Sequence, residues 1–400
     1  MPYYIGDVIK DSKKLIARTP EKFEETGIRV RLNTRADEIR ADAGEVLLTG
    51  GERLPYDTLV VATGTVAILP NIPGSDLDGV FVLKNLRDGI NIKEYIRENR
   101  CQKAALVGAG FIAMEMAEAL QTIGLETRIV YRGELPVKKW DPAFSTVILE
   151  ELTDKGVIFM PHQSPVAVEK GSRARLCLVT DQERIETDLI IFALGVKPET
   201  TLARAAGLAM GESGAIRVDH SQRTSREEMF AAGDCCESYH RVSKRWVHIP
   251  LGDIANKQGR VAGQNIGGYP ATFQGVVGSN AFKVFDLEVA MTGLGEREAE
   301  RSGYVPASTL IWGTPVARSM NKERYRLGIK LIADRTSGRL LGAQAVGQGG
   351  AVSRINTLSA CLWSGMKLDE IGYMDLAYSP PFGGAWDPIH TAAQILEKQM

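Results

Sequence analysis

The most regular pattern of hydrophobic positions lies between Ala104 and Leu120. Residues 104–107 are all small or apolar, and they run directly into a Gly-Ala-Gly turn. Apolar residues then recur at helical spacing through Ile112, Met116 and Leu120. A second strand is expected at residues 126–131. The pattern therefore predicts a strand, a tight glycine turn, a helix and a second strand, in that order.

Similar patterns predict the elements on either side. Helices are expected at 85–100, 141–155 and 253–266, and short strands at 28–32, 45–48 and 157–160. Three more short strands, at 166–169, 174–179 and 184–186, predict a small antiparallel meander. From about Gln274 onward, strands precede helices, an order typical of an α+β module. Its predicted strands are 287–292, 308–312, 325–333 and 340–346, and its predicted helices are 351–365 and 368–373.

Two apolar strands of similar form lie far apart in the chain. The stretch 57–64 ends in Ala-Thr-Gly, at Thr63 and Gly64, and the stretch 188–195 ends in Ala-Leu-Gly, at Gly195. Repetition of one structural unit is a sign of internal duplication. The repeat predicts two related nucleotide-binding domains.

The repeat also predicts which part of the first domain is present. Its second copy begins 80 residues after Gly108. The same offset before the first copy falls ahead of Met1. The first strand–helix–strand unit of the first domain is therefore expected to be missing from this chain; alternatively, that domain never had such a unit. A domain without this unit is expected to bind its nucleotide poorly.

The glycine turn of the central pattern has the spacing of a dinucleotide-binding fingerprint, G-x-G-x-x-G/A, at Gly108, Gly110 and Ala113. Gly108 permits the tight turn, Gly110 lets the backbone approach a pyrophosphate, and Ala113 lets the helix pack closely against the strand. The free N–H groups at the helix start would face the anion. An ordinary strand–helix turn is the alternative, and the flanking strands argue against it.

Composition and charge exclude several classes of protein. The net charge is −1 with no long run of one sign, which gives no indication of nucleic-acid or anionic-membrane binding. No apolar run is long enough to span a membrane, and no signal peptide is evident. The five cysteines form no metal-ligand pattern, so no metal site is expected. Their number and spacing also predict a cytoplasmic location. The adjacent Cys235 and Cys236 are interpreted as packing residues, with a redox role as the alternative.

A second candidate cofactor site follows the apolar residues 229–232. The segment Thr-Ser-Arg-Glu-Glu-Met-Phe-Ala-Ala-Gly-Asp, at 224–234, ends in Gly233 and Asp234. A carboxylate just past a strand end can accept hydrogen bonds from the hydroxyl groups of a sugar or ribityl chain, and the glycine allows close approach.

With these motifs, the chain resembles the two-dinucleotide-domain flavoprotein reductases of the pyridine nucleotide–disulfide oxidoreductase family. Within that family it is similar to the branch of coenzyme A-disulfide reductases, NADH oxidases and polysulfide reductases. The narrower similarity rests on Met-Pro-Tyr-Tyr-Ile-Gly at 1–6, Ala-Asn-Lys-Gln-Gly-Arg at 255–260 and Ala-Tyr-Ser-Pro-Pro-Phe at 377–382. The resemblance covers essentially all 400 residues.

The resemblance implies an α/β fold with two Rossmann-like domains and a C-terminal α+β dimerisation domain. An FAD-binding domain, whose N-terminal unit is missing, would comprise 1–85 and 216–273. An NAD(P)-binding domain would comprise 86–215, and the dimerisation domain 274–400. The protein would be a homodimeric enzyme that passes hydride from NAD(P)H to FAD and on to a small-molecule disulfide, polysulfide or O2-type acceptor.

The resemblance also implies roles for individual residues. Asp234 would bind the ribityl and phosphate region of FAD, and the helix that starts near Asp253 would direct its positive end at the flavin. Phe111 would be the aromatic lid over the flavin, and Glu115 an acidic group near the nicotinamide. Tyr378 would reach the active site of the other subunit. The remaining predicted cofactor-binding residues are Thr63, Gly64, Gly108, Gly110, Ala113, Tyr131, Arg132, Gly195, Gly233 and Ala255.

The end of the second strand bears on the choice of coenzyme. NAD-specific domains place Asp or Glu there to bind the ribose 2′-hydroxyl. Here the strand ends at Tyr131 and Arg132, and no acid occurs before Glu134. The planar fork of Arg132 suits a 2′-phosphate, with Arg128 as a weaker candidate and a solvated loop arginine as the alternative. The sequence therefore favours NADPH over NADH.

Two departures from the branch leave the electron acceptor open. The redox cysteine expected just ahead of the 1–6 segment is missing, and 318–323 reads Arg-Ser-Met-Asn-Lys-Glu where the branch has a tyrosine-rich segment. A misplaced start or a true deletion would explain the first departure. One alternative function is a flavin reductase for a protein acceptor such as a ferredoxin or rubredoxin. Another is a truncated, non-catalytic nucleotide-binding dimer module.

Overall fold

Helices and strands alternate between residues 86 and 160 in the structure, a computed structural model that describes residues 1–400. Runs of consecutive strands occur before and after this stretch. The α-helices are α1 (Pro2–Ile5), α2 (Pro20–Glu24), α3 (Leu86–Asn99), α4 (Phe111–Thr122), α5 (Pro142–Asp154), α6 (Thr201–Ala205), α7 (Gly252–Ile266), α8 (Glu296–Arg301), α9 (Ala351–Ser364), α10 (Leu368–Ile371) and α11 (Pro388–Gln399). Short 3₁₀ helices occur at Ser12–Leu15, Ala41–Ala43 and Arg318–Met320.

The strands are short in the first half of the chain and longer near its end. The first eleven are β1 (Ala36–Arg40), β2 (Glu45–Leu48), β3 (Arg53–Pro55), β4 (Leu59–Val61), β5 (Thr65–Ala67), β6 (Val80–Val82), β7 (Lys103–Val107), β8 (Glu126–Val130), β9 (Ile158–Met160), β10 (Pro165–Lys170) and β11 (Leu176–Thr180). The others are β12 (Arg184–Thr187), β13 (Leu189–Phe192), β14 (Val196–Pro198), β15 (Met229–Ala231), β16 (Ser238–His240), β17 (Arg245–Val247), β18 (Asn280–Val284), β19 (Leu287–Gly293), β20 (Pro306–Gly313), β21 (Leu327–Asp334) and β22 (Leu340–Gly347).

The chain divides into two compact units, each made of separate stretches of sequence. The first unit comprises Met1–Ser12, Ala67–Gly195 and Val277–Met400. The second unit comprises Lys13–Val66 and Val196–Val276.

A five-stranded parallel sheet forms one part of the first unit, with strand order β6-β13-β7-β8-β9. All four residues of β13 are buried, as expected for a parallel strand covered on both faces. Asn85 and Asp88 form a reciprocal capping box at the start of α3. The predicted strand, turn, helix and strand are confirmed as β7, the glycine turn, α4 and β8.

The core of the first unit is continuous from α4 to the C-terminal strands. Met114 and Met116 of α4, Phe144 of α5 and Val284 of β18 all belong to one buried cluster and are completely inaccessible to solvent. Burying a large apolar side chain stabilises the fold by about 1.5–3 kcal/mol. The nucleotide-type sheet and the C-terminal module are therefore packed as one body.

The C-terminal module is an antiparallel sheet of order β18-β19-β22-β21-β20. Every residue of β21 and β22 is buried. The four predicted strands and two predicted helices are confirmed as β19 to β22, α9 and α10. Sequence reasoning missed β18, α8 and α11. The turn-rich tail concealed the start of α11, where the Asp387 carboxylate accepts from the Ile389 N–H.

The second unit contains smaller sheets. Strands β1, β2 and β3 form an antiparallel sheet, while β4 pairs in parallel with β15. Helix α7 confirms the helix predicted at 253–266. The strand predicted at 28–32 is wrong: Ile28 and Leu32 are 52% and 65% exposed, so no buried face selects a strand there.

Three further features bear on function. No helix combines the length and apolar character needed to cross a membrane. All five cysteines are unpaired and buried. No group of three or more His, Cys, Asp or Glu side chains is placed to hold a metal ion.

The predicted meander is confirmed as β10, β11 and β12, and a carboxylate closes its first turn. Glu186 accepts hydrogen bonds from Ser172, through both its N–H and its hydroxyl, and from the N–H groups of Arg173 and Ala174. These bonds lower the pKa of Glu186 from 4.5 to about 2. The ionised form is therefore the one that orders the turn.

We expect Glu186 to make folding stability depend on pH below 4.5. Because its pKa is depressed in the folded state, its contribution is complete above about pH 4.5 and is lost as the pH falls toward 2. Urea denaturation of the wild type and of Glu186→Gln at pH 7, 4.5 and 3 measures this dependence. The difference between the two proteins should shrink as the pH falls. A constant difference would contradict the prediction.

Candidate functional site

The first candidate site is the turn between β7 and α4. Gly108 has φ +114°, a conformation that favours glycine, and a Cβ there would lie 2.5 Å from the Ala193 carbonyl oxygen. Gly110 is the N-cap of α4 and supplies no side-chain cap, and a Cβ there would meet no atom within 4 Å. Ala113 is completely buried. The turn thus has open space in front of uncapped helix N–H groups, which suits a pyrophosphate.

The loop between β8 and α5, residues 131–141, packs against this turn. The Val137 N–H donates to the Ala109 carbonyl oxygen at 2.8 Å, and the Trp140 N–H donates to the Val137 carbonyl oxygen at 2.8 Å. The ring of Tyr131 occupies the space beside Gly133, where a Cβ would lie 2.5 Å from the ring. The loop is therefore attached to the turn that would hold the coenzyme.

The two candidate arginines near the end of β8 differ in their partners. Arg128 is paired with Glu126, with Nη2 and Oε1 2.9 Å apart. Arg132 is exposed and has no hydrogen-bond or ion-pair partner. Lys138 and Lys139, later in the loop, have exposed side chains that are likewise unpaired. The loop therefore presents three cations without internal partners, namely Arg132, Lys138 and Lys139. Arg128 is not one of them, because it lies on β8 and is already paired.

Helix α4 also positions the two predicted catalytic residues of the first unit. Phe111 is 45% exposed, and its ring lies 6.5 Å from that of Phe282 on β18. Glu115 lines a narrow cavity with Tyr3 and Glu118. Burial raises the pKa of Glu115, an effect partly offset by the Met1 ammonium. Burial thus favours the protonated form of Glu115 more than water does.

The second candidate site lies in the second unit, where β4 and β15 end side by side. The Ala232 N–H donates to the Val61 carbonyl oxygen at 3.1 Å, which brings Thr63 and Gly64 close to Gly233 and Asp234. Asp234 accepts from the Thr65 hydroxyl at 3.4 Å, and its carbonyl oxygen accepts from His248 Nε2 at 2.7 Å.

Helix α7 begins next to these strand ends. Gly233 has φ +86°, its N–H donates to Gln258 of α7, and a Cβ on it would lie 3.4 Å from the Ala255 Cβ. No side chain caps the N-terminus of α7. A glycine that permits close approach, a carboxylate and a free helix N-terminus fit the sugar and flavin parts of a dinucleotide.

Cys235 and Cys236 lie beneath this second site and are both buried. Hydrogen bonds from Cys236, from the Gly64 N–H and from Thr63 lower the pKa of Cys235 to about 6. The sulfur atom of Cys236 lies 3.5 Å from Gln258 Oε1. The two side chains fill space between the strand ends and α7, as expected for packing residues. Their interpretation as packing residues therefore stays a prediction.

The structure does not gather all predicted residues in one place. Gly108, Gly110, Phe111, Ala113 and Glu115 lie together at the start of α4, whereas Thr63, Gly64, Gly233, Asp234 and Ala255 belong to the second unit. Gly195, with φ +98°, follows β13 in the first unit. Tyr378 lies on the loop between α10 and α11 and is 57% exposed.

Sequence reasoning missed several residues around the first site, among them Lys138, Trp140, Phe282, Lys330 and Gln344. Gln344 gives the one usable signal, because an amide inside the apolar run 340–346 requires partners that the strand itself cannot supply. Its partners lie in the loop 131–141, about 200 residues away in sequence.

The chain belongs to the pyridine nucleotide-disulphide oxidoreductase family, and the glycine turn and the Asp234 site agree with this. The family pattern matches residues 5–259, and the pattern of the family's dimerisation domain matches residues 279–388. It is an oxidoreductase of a family that uses FAD and NAD(P)H, as predicted, and the predicted fold class is confirmed.

Particular relatives narrow the comparison. The chain is 34% identical over 401 residues to the NAD(P)H sulfur oxidoreductase (CoA-dependent) of Pyrococcus furiosus, with 98% of this chain and 89% of that protein covered. The structure of the NAD-dependent persulfide reductase from A. fulgidus matches with a TM-score of 0.94 and 33% sequence identity. The match covers 100% of this chain and 75% of the reductase chain. An engineered NADPH oxidase bound to NADPH, derived from the NADH oxidase of Lactobacillus brevis, has a TM-score of 0.93 at 26% identity, with coverages of 100% and 89%.

Proposed function

We propose that the chain is an FAD-containing, NADPH-dependent reductase whose acceptor is a persulfide, polysulfide or disulfide. The observation that carries the proposal is the presence of two dinucleotide-type sites, at Gly108–Ala113 and at Gly233–Asp234, in a chain of this family. Relatives named for sulfur or persulfide reduction are 33–35% identical, whereas those named NADH oxidase are 26–31% identical. Sulfur acceptors are therefore favoured over O2.

The residues present fit both cofactors. The N–H groups at the start of α4 would bind the pyrophosphate of NADPH, and Asp234 would accept hydrogen bonds from the hydroxyl groups of FAD. The N-terminus of α7 would place partial positive charge near the flavin. Bound FAD supplies a two-electron carrier between the coenzyme and the acceptor. By resemblance to the family, Phe111 would act as an aromatic lid and Glu115 as an acidic group near the nicotinamide.

The choice of NADPH is supported by the loop 131–141. The engineered NADPH oxidase carries five substitutions. The first changes a glycine to alanine. Three adjacent ones begin 18 positions later and introduce alanine in place of aspartate, then arginine, then serine, and the last changes a proline to arginine five positions after the serine. At the same spacing this chain has Ala113, Tyr131, Arg132, Gly133 and Lys138. An alanine, a non-acidic residue, an arginine, a small residue and a second cation thus recur. We assign Arg132 and Lys138 to the 2′-phosphate.

The domain division that the family resemblance implies is also part of the proposal, and its bounds differ from those of the two compact units. Residues 1–85 and 216–273 would bind FAD, 86–215 would bind NADPH, and 274–400 would form the homodimer, with Tyr378 reaching the other subunit. Free thiols accord with a reducing compartment, so a cytoplasmic homodimer is part of the proposal.

A visible absorption spectrum of the purified chain after incubation with FAD tests the proposal. Because a domain without its first strand–helix–strand unit is expected to bind its nucleotide poorly, FAD is added in excess and unbound FAD is removed by gel filtration. We expect the remaining flavin band to be substoichiometric, to bleach on anaerobic addition of NADPH and to return when a persulfide or polysulfide is added. Asp234→Ala is the matched control and should lose the band while remaining folded. A wild-type protein without flavin would contradict the proposal, and a band that only O2 restores would instead support an oxidase.

A further inference from the structure

The loop that carries Arg132 and Lys138 is held at its far end by a side chain of the C-terminal sheet. Gln344 on β22 is only 4% exposed, and its amide binds the backbone on both sides of Trp140. Its Nε2 donates to the Lys139 carbonyl oxygen at 3.1 Å, and its Oε1 accepts from the Asp141 N–H at 2.8 Å. One side chain thus fixes the backbone at two points.

A buried ion cluster lies beside this amide. Lys330 is opposite Gln344 in the sheet and is 5% exposed. Its Nζ donates to Asp141 Oδ2 at 2.7 Å and to Glu296 Oε1 at 2.8 Å. Burial alone would lower the pKa of Lys330, but these two carboxylates outweigh burial and raise it. The end of the loop is therefore attached through both its backbone and its Asp141 side chain.

The same attachment reaches the start of α4 along two routes. Trp140 packs edge-on against Phe282 at 5.4 Å, and Phe282 lies 6.5 Å from Phe111. The Val137 N–H, three residues before Trp140, is bonded to Ala109 in the glycine turn. Fixing the backbone around Trp140 thus constrains both the loop and the packing beneath Phe111.

From these contacts we infer that Gln344 is a positioning residue for the coenzyme site, which holds the loop 131–141 in the shape that presents Arg132 and Lys138. Coenzyme selectivity then depends on a side chain of the C-terminal sheet that lies outside the nucleotide-binding segment. The inference rests on the proposed preference for NADPH. The competing explanation is that the amide only satisfies buried backbone groups and stabilises the fold.

Binding titrations of the full chain with NADPH and NADH, followed by tryptophan fluorescence, separate the two explanations. Gln344→Met keeps the side-chain length and removes both hydrogen bonds, and we expect it to weaken NADPH binding about tenfold while NADH binding changes by less than about twofold. Gln344→Glu retains the contact with the Asp141 N–H and should give an intermediate loss. Thr292→Val is the control, since Thr292 is 1% exposed and hydrogen-bonded to Ser279 in the same sheet.

The rate of trypsin cleavage within the loop 131–141 measures directly how often the loop opens. This measurement requires neither enzymatic activity nor bound FAD. Cleavage after Lys138 or Lys139 requires local opening of the loop, which Gln344→Met should accelerate and NADPH should suppress. Gln344→Met with unchanged coenzyme selectivity and a wild-type cleavage rate would overturn the inference. A wild type that binds NADH as tightly as NADPH would overturn the coenzyme assignment, and faster cleavage in Gln344→Met would then still support the attachment of the loop.

Discussion

Replacing Arg132 by alanine should weaken NADPH binding by about ten- to a hundredfold and leave NADH binding nearly unchanged. A hydrogen bond to a charged group contributes about 1.5–3 kcal/mol, and about 1.4 kcal/mol corresponds to a factor of ten in affinity. Arg132 is free of internal partners, so no ion pair within the protein is lost in the variant. The measurement is a pair of equilibrium titrations with NADPH and NADH.

Two further variants sharpen this prediction. Arg128→Ala removes the same type of side chain four residues earlier, but Arg128 is already paired with Glu126, so neither coenzyme should bind differently. Arg132→Lys keeps the charge and loses the planar fork that matches phosphate, so its affinity for NADPH should be intermediate. Equal losses for NADPH and NADH in Arg132→Ala would show that this residue does not contact the 2′-phosphate.

The two glycines of the first site should respond differently to alanine. In Gly108→Ala, the new Cβ would meet the Ala193 carbonyl oxygen at 2.5 Å in a backbone of φ +114°. Strain and the clash with backbone together should cost about 2–4 kcal/mol of folding free energy. In Gly110→Ala the methyl group meets nothing within 4 Å, so stability should change by less than about 1 kcal/mol.

Coenzyme binding completes the comparison between these variants. The methyl group of Gly110→Ala would occupy the space that the pyrophosphate needs, so both NADPH and NADH should bind at least about tenfold more weakly. Urea denaturation measures stability, and fluorescence titration measures binding. If Gly110→Ala bound both coenzymes normally, the pyrophosphate would have to lie elsewhere. A fully stable Gly108→Ala would show that the turn relaxes more easily than the contact with Ala193 allows.

Sequence patterns predicted the elements of the first unit well because their signals are local. Strand β7, the glycine turn and α4 follow from apolar spacing and from glycine at φ +114°, and α3 begins at its capping box. The prediction was wrong at 28–32, where apolar residues form no strand because nothing buries them. It also missed β18, whose outward residues Ala281 and Lys283 interrupt the apolar pattern.

The sequence by itself determined the family, the glycine turn, the Gly233–Asp234 strand end and the absence of an acid after β8, since each depends on a few adjacent residues. Only the tertiary structure decided that Arg128 is paired while Arg132 is free, and that Gln344 and Lys330 hold the coenzyme loop. The contacts of Gln344 and Lys330 with this loop join residues about 200 positions apart. Local propensity carries no information about them, because they exist only once the two sheets of the first unit have packed together.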